Sequence, residues 1–170
     1  EIEKRTGIPY CYCPSTFDPD AIVANYRAVA RLLNKDCPDL SAEREQAFKE
    51  IALTQKAVGS MPVIVDSSMP SRIFPFTKML VLHGFNVQLI FASRVFDVDR
   101  ADYEWLRKNH PEVRIERTSN YENILGYGLD PESLTIGYEC ASVLRTNHCV
   151  DLWNDEGLYG FHGLHRLMRM

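Results

Sequence analysis

From Met61 onward, apolar and polar positions settle into an alternation of two rhythms. "PVIVD" is a continuous apolar run closed by an acid, the pattern of a strand buried on both faces. The loop "SSMPSR" follows, then "IFPFTKMLVLHG", whose spacing predicts a helix with Gly84 as its left-handed terminal residue. "FNVQLIFAS" predicts a second strand, Asp97 to His110 a second helix stopped by Pro111, and "EVRIERT" a third strand. Ser119 and Glu122 form an S-x-x-E capping box that opens a short helix. "SLTIG" predicts a fourth strand leading into "YECASVLRT", and "HCVDLW" is read as a fifth. Strands that alternate with helices pair in parallel through right-handed crossovers. The predicted fold class is therefore α/β, a three-layer α-β-α Rossmann-like domain with a mainly parallel sheet.

The pattern before Met61 differs. "EIEKRTGIP" reads as the last charged turn of a helix closed by Gly7, so the chain is expected to be a piece of a longer polypeptide. "IPYCYC" (8–13) predicts a short strand in which Cys11 and Cys13 point to the same face. Asp18 as N-cap and Pro19 at the first helical position open an amphipathic helix to about Leu33. Ser41 is expected to cap the next, charged helix, which runs to Gly59 with Phe48, Ile51, Ala52 and Val58 toward one side and is placed to bridge two domains. The expected division is 1–59, the end of a preceding Rossmann-like domain plus a linking helix, and 60–170, a Rossmann-like α/β domain.

Composition narrows the function classes. The 170 residues carry 19 basic and 23 acidic side chains, net −4, without a run of like charge, so no footprint for nucleic acid is present. No apolar stretch reaches the roughly 18 residues of a membrane span and the first residues do not form a signal peptide, so a cytoplasmic chain is expected. The five cysteines, at 11, 13, 37, 140 and 149, include no C-x-x-C pair and fit neither a disulfide scaffold nor a closed zinc site; small buried hydrophobes are the plain reading.

In an open parallel sheet ligands sit beyond the carboxyl ends of the strands, which selects loops 14–18, 66–72, 93–99, 117–120, 137–140 and 153–160. In "DSSMPSR", the hydroxyls of Ser67, Ser68 and Ser71, the free amides of a helix start and Arg72 would favour an anion or an electron-rich group. A polar capping loop has the same composition. Arg94 and Asp97 mark a second polar loop, which an ion pair or solvated charges would also explain. G-x-G-x-x-G, G-x-x-x-x-G-K-[ST], G-x-S-x-G and H-E-x-x-H are all absent, and His83, His110 and His148 stand singly.

The order "EIEKRTGIPY", "FDPDAIVANYRAVARLL", a variable helix, "LVLHGFNVQLI", "LTIGYE" and "LYGFHGLHRLMRM" resembles the C-terminal part of an α-type subunit of nitrogenase component 1-type oxidoreductases. The resemblance spans nearly the whole chain, and the closing Tyr-Gly-Phe-x-Gly is its most specific piece. It implies an ATP-dependent low-potential reductase built with a homologous β-type subunit and reduced by an iron-sulfur partner, component 2. Catalysis on a small-molecule substrate would occur at an iron-sulfur or iron-sulfur-derived metallocluster between domains. The isolated fragment is expected to be inactive and to hold no cluster, because the family's cysteine ligand matches a position upstream of Glu1. The family's histidine ligand matches the stretch Asp151 to Asn154, where no histidine stands, and its glycine- and arginine-rich cofactor loop matches "DSSMPSR", with serines for glycines and Arg72 for one arginine. The implied cofactor-binding residues are thus Ser67, Ser68, Ser71, Arg72, Asp151 and Asn154, with no metal ligand among them. These departures point to a divergent nitrogenase-like reductase rather than a molybdenum nitrogenase, the alternative being a non-catalytic cofactor-assembly scaffold or a small-anion-binding domain. The histidine pair His162 and His165, at i and i+3, could chelate but reads better as the start of a helix.

Overall fold

The computed structural model describes residues 2–68, 72–117, 128–151 and 158–170. Three helices come first: α1 (Ile2–Thr6), α2 (Pro19–Leu32) and α3 (Ser41–Val58). Then follow β1 (Val63–Asp66), α4 (Ile73–Leu82), β2 (Val87–Ala92), a 3-10 turn (Asp97–Asp99) running into α5 (Arg100–Asn109), β3 (Arg114–Arg117), β4 (Leu134–Ile136), α6 (Tyr138–Leu144), β5 (Cys149–Val150) and α7 (Gly160–Met168). The five strands form one sheet in the order β3-β2-β1-β4-β5, and every pairing is parallel. This is the three-layer α/β fold that the alternating rhythm predicts.

Alternation along β1 divides the core. Val63 and Val65 face the main cluster with Ile90 and Ile136, under α3, α4, α5 and α7; Ile64 faces the other side with Leu89 and Phe91, beneath Cys140 and Leu144 of α6. β1 is buried at every position, so it is apolar throughout until Asp66. The main cluster also takes in Phe17, Ile22 and Val23 around α2 and Ala47 and Ile51 of α3, so it is continuous across residues 59 and 60.

Local chemistry explains most boundaries. The Asp18 carboxylate accepts a hydrogen bond from the Ala21 amide at 2.8 Å, capping α2 ahead of Pro19. α4 gives way at Gly84, with φ +80°. His110 ends α5 immediately before Pro111.

Four expectations are overturned. Residues 7–18 have no regular structure, so "IPYCYC" is not a strand. Pro9 and Pro14 remove two ladder donors, and Ile8, Tyr10 and Tyr12, at 63%, 54% and 62% exposure, have no sheet to cover them. The cysteines there are not buried either: Cys13 is exposed and Cys11 half-buried, and of the five only Cys140 lies inside. Ser41 does not cap α3. It is the first helical residue, and the Asp39 carboxylate accepts from its amide, 3.0 Å, and from its hydroxyl. The buried face of α3 is Ala47, Glu50 and Ile51, whereas Ala52 points to solvent, because the stripe turns to meet α7 and takes in a charged residue that α7 neutralises. The capping box at Ser119 and Glu122 lies outside the described residues.

Candidate functional site

Chain order places the site. From β1 the sheet grows one way to β2 and β3, and the chain then returns to lay β4 on the opposite side of β1. Between β1 and β4 the winding direction reverses, which is where open sheets of this kind hold ligands in a crevice. The two residues at its floor are Asp66 and Gly137.

Asp66 is fully buried, and an unpaired carboxylate there would cost several kcal/mol. Three donors offset that cost. Oδ1 accepts from the Ser68 amide at 2.8 Å and from the Ser68 hydroxyl, and Oδ2 accepts from the Cys140 amide at 2.9 Å. The Ser68 hydroxyl oxygen in turn accepts from the Tyr138 amide at 3.1 Å. The result is a latch between the β1 loop and the start of α6. Gly137, at φ +118°, completes it: a methyl group at this position would overlap the Asp66 carboxylate. Beneath the latch the Cys140 thiol is pushed far above the usual thiol range, first by burial and then by the negative charge of Asp66.

The residues expected to bind a cofactor divide unequally around this crevice. Ser67 is half-buried at its rim, and Ser68 belongs to the latch. Arg72 opens α4 but turns away from the crevice: its Nε donates to Asp99 Oδ1 at 2.7 Å, and a terminal nitrogen donates to the Val98 carbonyl at 3.1 Å. Asp99 is 1% exposed, so the guanidinium neutralises a buried charge. Asp151 is exposed just past β5, at the same carboxyl edge, with β4 between it and β1. Ser71 and Asn154 lie outside the described residues. Loop 14–18 does meet Arg72, and together they line a cleft of about 240 Å³ with Lys78 and Asp102, which pair at 2.8 Å. Arg94 and Asp97 do not pair with each other: Arg94 lies over the Phe96 ring at 4.1 Å, and exposed Asp97 meets Arg100 at 3.1 Å.

The histidines are engaged in structure. His110 meets Glu112 at 2.9 Å, His148 meets Glu132 at 3.1 Å, and the His83 ring tilts against Phe48 at 5.7 Å. His165 Nδ1 is 2.6 Å from Glu50 Oε2, while His162 is exposed, so the two do not converge on a common ion. Arg169 also reaches Glu50, at 2.7 Å, as does Gln46, at 3.1 Å. Burial pushes the Glu50 carboxyl upward, but the hydrogen bonds from Arg169, Gln46 and His165 outweigh it and hold the group at about 2. Among the described residues no three His, Cys, Asp or Glu side chains gather as a metal site, so the donor set described here does not fit a metallocluster held by this chain alone.

Sequence reading selected loops 66–72 and 137–140 but did not single out Asp66, Gly137 or Cys140 within them. One signal was present: an acid ending an apolar strand, with serine two residues later, is the composition of a side-chain-capped turn.

Together, the winding order and the carboxyl-edge loops define a Rossmann-type α/β domain with its crevice between β1 and β4. A solved nitrogenase structure, "Nitrogenase Cp1 at pH 6.5", has the same fold, with a TM-score of 0.70 at 16% identity, over 99% of this chain and 40% of that chain. This chain therefore spans well under half the length of the nitrogenase chain it matches. No family model and no curated protein matches the sequence. The fold agrees with the ordered resemblance to nitrogenase component 1 proteins. Among the described residues, no helix is long and apolar enough to cross a membrane.

Proposed function

We propose that this chain is part of a nitrogenase-like component 1 subunit and supplies one wall of an interdomain site for ATP-dependent, low-potential reduction of a small molecule. The observation that carries the reading is the overlap of 99% of the chain with a nitrogenase chain, with the β1–β4 crevice at the edge where such sheets hold ligands. In this reading an iron-sulfur or iron-sulfur-derived cluster supplies the redox chemistry, and its ligands come from outside this chain. The work of these residues is positional: the Asp66–Ser68 latch fixes the crevice floor, the Arg72–Asp99 pair holds the first turn of α4, and Ser67 faces the shared chamber. The partners are a homologous β-type subunit and an ATP-hydrolysing iron-sulfur reductase.

The test is anaerobic co-purification of the parent polypeptide with its neighbouring subunit, followed by iron analysis and an assay of turnover with the reductase and ATP. Cluster absorption together with ATP-dependent turnover is the expected result. A colourless, iron-free complex would overturn the reading. A second reading, a scaffold that cradles a precursor cofactor or a small anion, draws on the serine-rich loop after β1 and on the lack of a histidine in the sequence of residues 151–154. Iron-loaded complex without turnover, handing its cluster to an acceptor, would select it.

A further inference from the structure

Away from the crevice, the segment that failed to form a strand places two thiols together. Cys11 Sγ and Cys13 Sγ are 3.7 Å apart, on a stretch where Cys13 is exposed and Cys11 half-buried. The stretch is tied down despite its lack of regular structure: Asn25 Nδ2 of α2 donates to the Pro14 carbonyl at 2.9 Å, and the Cys13 thiol points to the Asn25 carbonyl at 3.9 Å. Pro9 and Pro14 stiffen both ends. Cys13 also lines a cleft of about 300 Å³ with Asn25, Tyr26 and Tyr159, so there is space beside the Cys13 side chain.

The separation, that of a thiol–thiol hydrogen bond, also matches two thiolates on one ion. Two thiolates on one tetrahedral ion, with metal–sulfur bonds of about 2.3 Å, stand about 3.8 Å apart. A disulfide requires about 2.05 Å and would need the anchored stretch to contract.

We propose that Cys11 and Cys13 form a two-thiolate site for a thiophilic d10 divalent cation of the zinc and cadmium class, its remaining coordination positions facing water. Binding one ion replaces two S–H bonds with two metal–sulfur bonds and releases two protons; no electron is transferred.

The experiment titrates the reduced 170-residue chain with cadmium chloride and follows sulfur-to-cadmium charge-transfer absorption, with calorimetry in two buffers to count protons. One cadmium per chain and two protons are expected. Cys11→Ser and Cys13→Ser should each weaken binding by about a hundredfold, whereas Cys149→Ser, which removes a thiol of β5, should leave it unchanged. Mass spectrometry after alkylation should show cadmium protecting residues 11 and 13 together. Because both side chains lie outside the core, the variants should melt with the parent chain. Binding that survives both substitutions, or no charge-transfer band at millimolar cadmium, would overturn the proposal.

Discussion

Gly137→Ala, alone and combined with Asp66→Ala, tests the latch at the β1–β4 crevice. At φ +118° any side chain strains the backbone, by about 1–3 kcal/mol. The added methyl also enters the space of the Asp66 carboxylate and drives it off the Ser68 and Cys140 amides. Hydrogen bonds to a charged acceptor are worth about 1.5–3 kcal/mol each, so losing them raises the cost of Gly137→Ala to about 4–8 kcal/mol. Asp66→Ala orphans the same amides and should cost about 3–5 kcal/mol. In that background the methyl finds room, and Gly137→Ala should cost only the backbone strain. The double variant should therefore be less destabilised than the sum of the singles by about 3–5 kcal/mol. Urea unfolding followed by far-ultraviolet circular dichroism, with sucrose to hold the weakest variants folded, measures all four corners of the cycle. Additivity within about 0.5 kcal/mol would refute the claim that the glycine is there to make room for the carboxylate.

Other consequences are open to direct measurement. The Glu50 carboxyl lies at about 2 in the folded chain, below its ordinary 4.5, so its contribution is complete above the ordinary value and is lost as pH falls through the folded one. Glu50→Gln should flatten the decline in urea midpoint from pH 5 toward pH 2, and an unchanged acid limb would count against the Arg169–His165–Glu50 network. Arg72→Ala leaves Asp99 buried and uncompensated and should cost about 3–5 kcal/mol, with much of the loss recovered in Arg72→Ala/Asp99→Ala; equal loss in both would show that the pair is not the cause. Gly163→Ala places a methyl against the Leu158 backbone as α7 begins, so a melting point within one degree of the parent would contradict the close approach.

Much of the fold was legible because β1, β2 and α4 bury most of their residues, so their periodicity survives in the sequence. "PVIVD" reads as a strand because every position of β1 is inside. "PYCYC" is likewise a short apolar run after a proline, yet Pro9, Pro14 and the absence of a neighbouring strand leave it irregular; propensity is local and pairing is not. The stripe of α3 was misread for a related reason. Glu50 looks like a surface charge until Arg169 and His165, more than a hundred residues away, are laid against it. The candidate site was less visible still. Ser68 and Arg72 were singled out as groups facing a ligand, but their partners, Asp66, Tyr138 and Asp99, come from separate elements, and only the assembled sheet shows that both side chains are engaged inward.

The concealed thiol at Cys140 gives the molecule an internal clock. A maleimide can reach that sulfur only while α6 is lifted from the sheet and the Asp66 bonds are broken, so its rate of modification, resolved from the four more accessible cysteines, counts the openings of the crevice. Anything that settles between the β1 and β4 loops should slow that clock, which turns an unreactive side chain into a reporter for ligands that have yet to be identified.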